Sequence, residues 1–167
     1  MKTPLPLIAV LALCLVASIP ASAETVFQTV PGEAAVTSDG KKALAQKLIE
    51  SKTLPEGEVS RTPGTLPQWG YVNYWFGISA PAGKTVVRFK IFVDDEATAN
   101  FGAYTRVKGE QTLLGKIVIP ADAPKNAFVT VDIPVDSPEE WNGISLKKIE
   151  KSDKPGPWIG SVSVVQP

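Results

Sequence analysis

Two runs of alternating residues between positions 68 and 95 form the strongest pattern in the chain. Alternation at period two with β-branched and aromatic residues predicts two strands. They are joined by Pro81-Ala82-Gly83-Lys84, either as a hairpin or as consecutive strands. The positions expected to face the core are Val72, Tyr74, Phe76 and Ile78 in the first run, and Thr85, Val87, Phe89, Ile91 and Val93 in the second.

The opposite face of the first run combines aromatic rings with an amide, which is unusual for a surface that only meets water. We therefore predict a binding surface there, extended by polar groups of neighbouring strands if these pair as a sandwich requires. The candidate residues are Trp69, Tyr71, Asn73, Trp75, Arg88, Tyr104 and Arg106. The alternative is that loops or the N-terminal segment cover this face and make it a second small core.

Further short apolar runs follow at regular intervals and predict the remaining strands. They span 101–107, 112–119, 127–133, 143–149 and 158–165. This spacing favours an all-β fold, a two-sheet antiparallel β-sandwich, over a sheet with helical crossovers. Ser137 followed by Pro138 and Glu140 also predicts one helical turn. Trp158 shares the alternation of Val162 and Val164, so we expect it in the core.

The segment from Ser38 to Glu50 permits two interpretations. Its composition, with Leu44 and Leu48 at helical spacing, predicts a short helix. A turn at Asp39-Gly40 followed by a strand fits the same residues.

The first 23 residues predict a secretory signal peptide. Lys2 precedes an apolar run that is too short to span a bilayer, and Ala21-Ser22-Ala23 forms a cleavage site after Ala23. A lipoprotein signal with Cys14 as the lipidated residue is the rival interpretation, but Leu13 lies where a small residue is expected before such a cysteine. We expect residues 24–167 to form a single domain in the secreted or periplasmic space, without a membrane span.

The charge and the missing residue types restrict the chemistry. The 17 basic and 17 acidic residues balance, which gives no reason to expect nucleic acid as a partner. There is no histidine, and Cys14 is the single cysteine, so triads and zinc sites cannot be built in their usual form. We expect no enzyme activity, no cofactor and no metal site. The acidic cluster 94–96 is interpreted as a solvated turn, with a hard-cation site as the alternative.

Several segments together resemble the galactose-binding-like jelly rolls of secreted bacterial carbohydrate-binding modules. They are S-D-G-K-K-A-L at 38–44, Y-W-F-G-I-S-A-P-A-G-K at 74–84, V-D-D at 93–95, W-N-G-I-S-L-K-K-I-E at 141–150 and P-G-P-W-I-G-S-V-S-V at 155–164. The resemblance implies a non-catalytic sandwich that binds glycan through aromatic side chains, and a strand at 40–49. Such modules frequently carry an acidic calcium ligand where this chain has Gly160, so the metal is not carried over.

Two functional hypotheses of different class follow. The first is a secreted, non-catalytic module that binds a glycan or polysaccharide through the aromatic and polar sheet face. The second is a structural or interaction domain of the cell envelope that uses the same face against a protein partner.

Overall fold

The structure is a computed structural model that describes residues 24–29, 35–36, 49–107 and 110–166, with the backbone alone for 24, 26–29, 35–36, 75–78 and 107. The predicted signal peptide lies outside these ranges. So does nearly all of the segment 40–49, for which helix and strand remained as alternatives.

Eleven strands account for most of the described chain. In chain order they are β1 (Glu24–Thr29), β2 (Ala35–Val36), β3 (Glu50–Leu54), β4 (Gly57–Arg61), β5 (Tyr71–Ala80), β6 (Gly83–Val93), β7 (Phe101–Val107), β8 (Glu110–Ile117), β9 (Ala127–Ser137), β10 (Trp141–Lys148) and β11 (Trp158–Gln166). The described ranges contain no helix, and therefore none long and apolar enough to cross a membrane.

The strands form two antiparallel sheets. One has the order β3-β4-β11-β6-β9, with β1 also pairing with β11, and the other has the order β2-β5-β10-β7-β8. The predicted two-sheet antiparallel sandwich is therefore confirmed. The predicted helical turn is wrong, because β9 continues to Ser137 and the Ser137 hydroxyl donates to the carbonyl oxygen of Glu139 at 2.6 Å, closing a turn instead.

The two central strands, β5 and β6, lie in opposite sheets. The hairpin alternative is thus wrong, and Pro81-Ala82 carries the chain across the sandwich. As predicted, Val72 and Tyr74 of β5 meet Phe89 and Ile91 of β6 in one core between the sheets. The side chains of Phe76 and Ile78 lie outside the described atoms. Burial also raises the pKa of the Tyr74 hydroxyl.

Trp158 is buried, but it lies on the outer side of its sheet. It pairs directly with Phe92, which alternates with the core residue Ile91, whereas Val162 faces the core. An irregularity in register between Ile159 and Ser161 separates these positions. The prediction that Trp158 shares a face with Val162 is wrong because such a bulge shifts the alternation by one residue.

The Trp158 ring is covered by two cationic side chains and not by core residues. Lys52 Nζ and the guanidinium carbon of Arg61 each lie 4.2 Å from a Trp158 ring centre. The indole N–H donates to Asp94 Oδ2 at 2.7 Å. The strand pair β3 and β4 thereby caps a large aromatic residue that would otherwise be exposed. Trp141, by contrast, is 2% exposed and belongs to the core between the sheets.

Candidate functional site

The outer face of the five-stranded sheet brings side chains of three neighbouring strands into two rows. In one row Lys147 on β10 pairs with Tyr71 on β5 and with Gly102 on β7. In the next row Ser145 on β10 pairs with Asn73 on β5 and with Tyr104 on β7. Since directly paired residues point to the same side of a sheet, these six positions share one surface.

Tyr71, Lys147 and Tyr104 form the centre of this surface, and we call them the tyrosine–lysine platform. Lys147 Nζ lies 5.2 Å from the ring centre of Tyr71 and 5.2 Å from that of Tyr104. Both distances are within the range of cation–π attraction. The two rings therefore flank one ammonium group and lie no more than about 10 Å apart, the width of two strand spacings.

The glycine at position 102 makes room for the Tyr104 ring. A β-carbon built on Gly102 would lie 2.8 Å from Tyr104 Cε2 and 3.3 Å from Leu113 Cδ1. A real side chain there would push the ring away from Lys147. The absence of a side chain at 102 thus fixes where the aromatic ring lies on the sheet.

Polar groups border the platform. The Lys147 ammonium donates to Gln111 Oε1 on β8, and the Ser145 hydroxyl donates to Asn73 Oδ1 across the β5–β10 pair. A small recess beside them is lined by Asn73, Arg106, Asn142 and Ser145. An amide-rich border of this kind supplies both donors and acceptors to a ligand.

Two features of its surroundings make the positive charge of Lys147 less favourable. Burial lowers the pKa of its ammonium, and the nearby positive charge of Arg106 lowers it further. Both effects disfavour the protonated form. An anion placed on the platform would relieve them.

Trp69 lies at the entry to β5 and is 57% exposed. Its φ of 66° is left-handed, which is rare for a bulky residue. Period-two alternation does not extend through such a residue, so the predicted face sharing between Trp69 and Tyr71 does not follow from their spacing. Trp69 is instead an exposed aromatic residue whose backbone N–H donates to the carbonyl oxygen of Lys148, next in sequence to Lys147.

Lys148 anchors the loop that carries Trp69. Its side chain is fully buried, and Nζ donates to the carbonyl oxygens of Gly64 at 3.0 Å, Leu66 at 3.1 Å and Ser152. Three acceptors satisfy all the donors of an ammonium group. The buried cation therefore ties two loops to the end of β10.

The other predicted site residues have different positions. Asn73 is only 6% exposed and is engaged by Ser145, so it supports the surface from below. The Trp75 backbone pairs with Gly143, while its side chain lies outside the described atoms. Arg106 is exposed on β7, in the same sheet as the platform.

The prediction that Arg88 joins this surface is wrong. Strand β6 belongs to the six-stranded sheet, so Arg88 points from the opposite side of the sandwich. There it forms a bidentate salt bridge with Asp132, in which Nε donates to Oδ1 at 2.8 Å and Nη2 donates to Oδ2 at 2.7 Å. Hydrogen bonds from Arg88 lower the pKa of the Asp132 carboxyl.

Sequence reasoning missed Lys147, Ser145 and Gln111. A signal for the first two was present, because Ile144 and Leu146 are core positions and the residues that alternate with them, Ser145 and Lys147, must face outward. Gln111 could not be found that way, since its position depends on how β8 pairs with β7.

Two residues of the acidic cluster 94–96, Asp94 and Glu96, pair with neighbouring cations. Asp94 Oδ2 lies 3.5 Å from Lys52 Nζ, and the Glu96 carboxylate pairs with Arg61. Asp94 and Glu96 help to line a cleft of about 240 Å³ at the end of the sandwich. Lys125 lines it too, and its ammonium donates to the backbone carbonyl oxygen of Asp94 at 2.9 Å. In the part of the chain that the structure describes, no group of three or more acidic, histidine or cysteine residues could hold a metal ion.

Comparison with solved structures places this fold. It is similar to the C-terminal family 6 carbohydrate-binding module of LamC, a marine laminarinase from Zobellia galactanivorans, with a TM-score of 0.58 and 18% identity over 86% of this chain and 100% of that one. A carbohydrate-binding module from Cellvibrio mixtus lichenase 5A, in complex with cellotriose, has a TM-score of 0.52 and 10% identity over 86% of this chain and 99% of that one. A family 35 module from Paenibacillus barcinonensis has a TM-score of 0.50 and 13% identity over 83% of this chain and 97% of that one. No family model and no curated protein matches the sequence. The chain therefore has the jelly-roll fold of carbohydrate-binding modules.

Proposed function

We propose that this protein is a secreted, non-catalytic carbohydrate-binding module whose ligand lies across the five-stranded sheet. The observation that carries the proposal is the tyrosine–lysine platform, in which two partly exposed tyrosine rings flank an ammonium group on a strand surface. The jelly-roll fold and the signal peptide expected at 1–23 support it. The proposed binding surface is therefore centred on fewer aromatic residues than the sequence pattern predicted.

The proposed mode of binding combines stacking with hydrogen bonds. A pyranose ring presents apolar C–H faces and a rim of hydroxyl groups, so it fits flat aromatic surfaces bordered by polar groups. Tyr71 and Tyr104 supply the surfaces. Lys147 supplies donors between them, and Gln111 and Asn142 supply amides at the edges. Trp69 extends the surface along the direction of β5.

The proposed absence of catalysis rests on the side chains available. The sequence contains no histidine. Most enzymes that cleave glycosides use two carboxyl groups that face a shared cleft, about 5 Å apart or more. At the end cleft, Asp94 and Glu96 are each held by a cation. The residues named on the platform and its border include no carboxylate.

Affinity electrophoresis against a panel of soluble polysaccharides tests the proposal. Retardation of the protein by one or more of them is expected, and Tyr104→Ala should abolish it while the variant stays folded. The matched control is Phe92→Ala, which removes a half-buried aromatic residue from the outer side of the other sheet. Retardation that survives Tyr104→Ala and is lost in Phe92→Ala would place the site on the six-stranded sheet and contradict the proposal.

A protein partner from the cell envelope is the second candidate function. It is favoured by Leu113, which is 48% exposed and pairs directly with Tyr104. An exposed leucine beside an aromatic ring gives a protein partner an apolar contact point on this face. Leu113→Ser separates the two functions, because it should weaken a protein contact and leave stacking of a sugar on Tyr104 unchanged.

A further inference from the structure

The outer face of the five-stranded sheet carries positive charge that no described carboxylate balances. Lys116 on β8 pairs with Gly102, which in turn pairs with Lys147, so the two lysines lie in one row. Arg106 lies on the same face, because it is separated from Tyr104 by two positions on β7. Among the described residues, none of these three cations lies within ion-pair distance of a carboxylate.

On the other sheet, most of the described cations on the outer side are paired with carboxylates, although Lys90 lies over the Phe128 ring without one. On its outer side Arg88 pairs with Asp132, Lys52 with Asp94, and Arg61 with Glu50 and Glu96. The chain as a whole has equal numbers of acidic and basic residues. Among the described residues, Lys116, Lys147 and Arg106 therefore leave three unpaired positive charges on the surface that holds the tyrosine rings.

Lys147 lies between the two tyrosine rings, which places its charge next to any sugar that stacks on them. It lies at the same distance from both tyrosine ring centres, so a sugar stacked on either ring would bring its substituents next to the ammonium group. Burial and the charge of Arg106 lower the pKa of Lys147. A bound anion would offset both effects, because it neutralises charge at the point where water is partly excluded.

From this arrangement we infer that the ligand of the platform is an acidic polysaccharide, one whose sugar units carry carboxylate or sulfate groups. The inference rests on the proposed function and adds the charge of the ligand to it. The anionic group lies against Lys147 and Arg106, and the sugar ring lies against Tyr71 or Tyr104. Lys116 attracts the next anionic unit along the chain of the polysaccharide.

Isothermal titration of the purified protein tests the inference with defined probes. Polygalacturonate supplies carboxylates, a sulfated galactan supplies sulfates, and an unsulfated galactan supplies the neutral control. Single-stranded DNA tests for attraction to any polyanion. The variants are Lys147→Met and Arg106→Gln, with Lys90→Met as the matched control, since Lys90 Nζ lies 4.3 Å from the Phe128 ring centre on the other sheet.

At least one acidic polysaccharide is expected to bind about tenfold or more tightly than the neutral galactan, with Kd rising with salt. Lys147→Met and Arg106→Gln should each remove most of that preference, and Lys90→Met should keep it. The two acidic probes distinguish carboxylate from sulfate. Equal affinity for acidic and neutral polysaccharides would overturn the inference and leave the proposed function standing. Equal affinity for DNA would overturn it as non-specific attraction, and binding to no polysaccharide would overturn the proposed function as well.

Discussion

The backbone N–H of Trp69 donates to the carbonyl oxygen of Lys148 at 2.7 Å, and the Lys148 N–H donates to the carbonyl oxygen of Gly70 at 3.1 Å. These bonds extend the pairing of β5 and β10 beyond the strand ends and hold Trp69 at its φ of 66°. The Lys148 ammonium meanwhile binds three carbonyl oxygens of the adjoining loops. One residue thus fixes both the backbone of Trp69 and the loops around it.

Lys148→Met should destabilise the protein by about 3 kcal/mol, because it leaves three carbonyl oxygens without the charged donor that binds them. The neighbouring variant Lys147→Met is a matched control, since Lys147 points out of the sheet and Lys148 is fully buried. Urea unfolding of both variants measures the difference. A smaller effect for Lys148→Met than for Lys147→Met would contradict the anchoring role.

Gly102→Ala should weaken glycan binding with little loss of stability, because the added methyl group displaces the Tyr104 ring, which can rotate outward. Gly115→Ala is the counterpart in the same sheet. Its β-carbon would lie 2.7 Å from Ile133 Cγ2 in the core, so it should destabilise by about 1–3 kcal/mol through overpacking. Thermal unfolding and a binding assay on both variants separate the two effects. Normal binding by Gly102→Ala would show that the position of Tyr104 does not matter.

Calcium should have little effect on the melting temperature. Hard cations need several oxygen ligands, whereas Asp94 already accepts from Trp158 and pairs with Lys52, and Glu96 pairs with Arg61. Scanning calorimetry with calcium and then with a chelator measures this. A large, chelator-reversible rise in melting temperature would show that these pairs open to admit the ion.

Lys147→Met should retain or slightly raise stability at pH 7. The pKa of Lys147 is lowered from 10.5 by burial and by Arg106, so the protonated lysine is less favourable in the folded state than in the unfolded one. Between the lowered pKa and 10.5 the unfolded state binds more protons, and stability therefore rises with pH in that window. This contribution should be missing from the variant.

Urea midpoints of the wild type and Lys147→Met, measured at pH steps from 7 upward, give the difference curve. Tyr71 and Tyr104, on the strands either side of Lys147, are retained in the variant, as are Arg106 and Lys116. Contributions to stability that do not involve Lys147 therefore largely cancel in the comparison. The stability of the wild type minus that of the variant should rise with pH. A difference that falls with pH would mean that the folded protein favours the protonated form of Lys147.

The alternation of the sequence was sufficient to predict the sandwich, the core face of β6, and the burial of Val72 and Tyr74 on β5. It failed where the backbone departs from regular extension. The bulge near Gly160 moved Trp158 to the outer side of its sheet, and the left-handed conformation of Trp69 broke the spacing that linked it to Tyr71. Neither feature changes the apolar pattern, so neither can be identified by its period.

The candidate site was only partly predictable for a different reason. Tyr71 and Tyr104 were identified as candidates from their strands, but strand order decides which residues become neighbours. Arg88 was assigned to the platform face because β6 follows β5 in sequence, although the two strands lie in opposite sheets. Lys147 was missed because β10, which separates β5 from β7, comes much later in the chain.

The location of the ligand on the five-stranded sheet is the central claim, and amide chemical-shift mapping with the tightest-binding polysaccharide tests it most directly. The largest shifts are expected at residues 71–73, 102–106 and 143–147, where the sugar would contact β5, β7 and β10. Largest shifts at the end cleft, residues 94–98 and 119–125, or around Arg88 on the opposite sheet would contradict this location of the ligand.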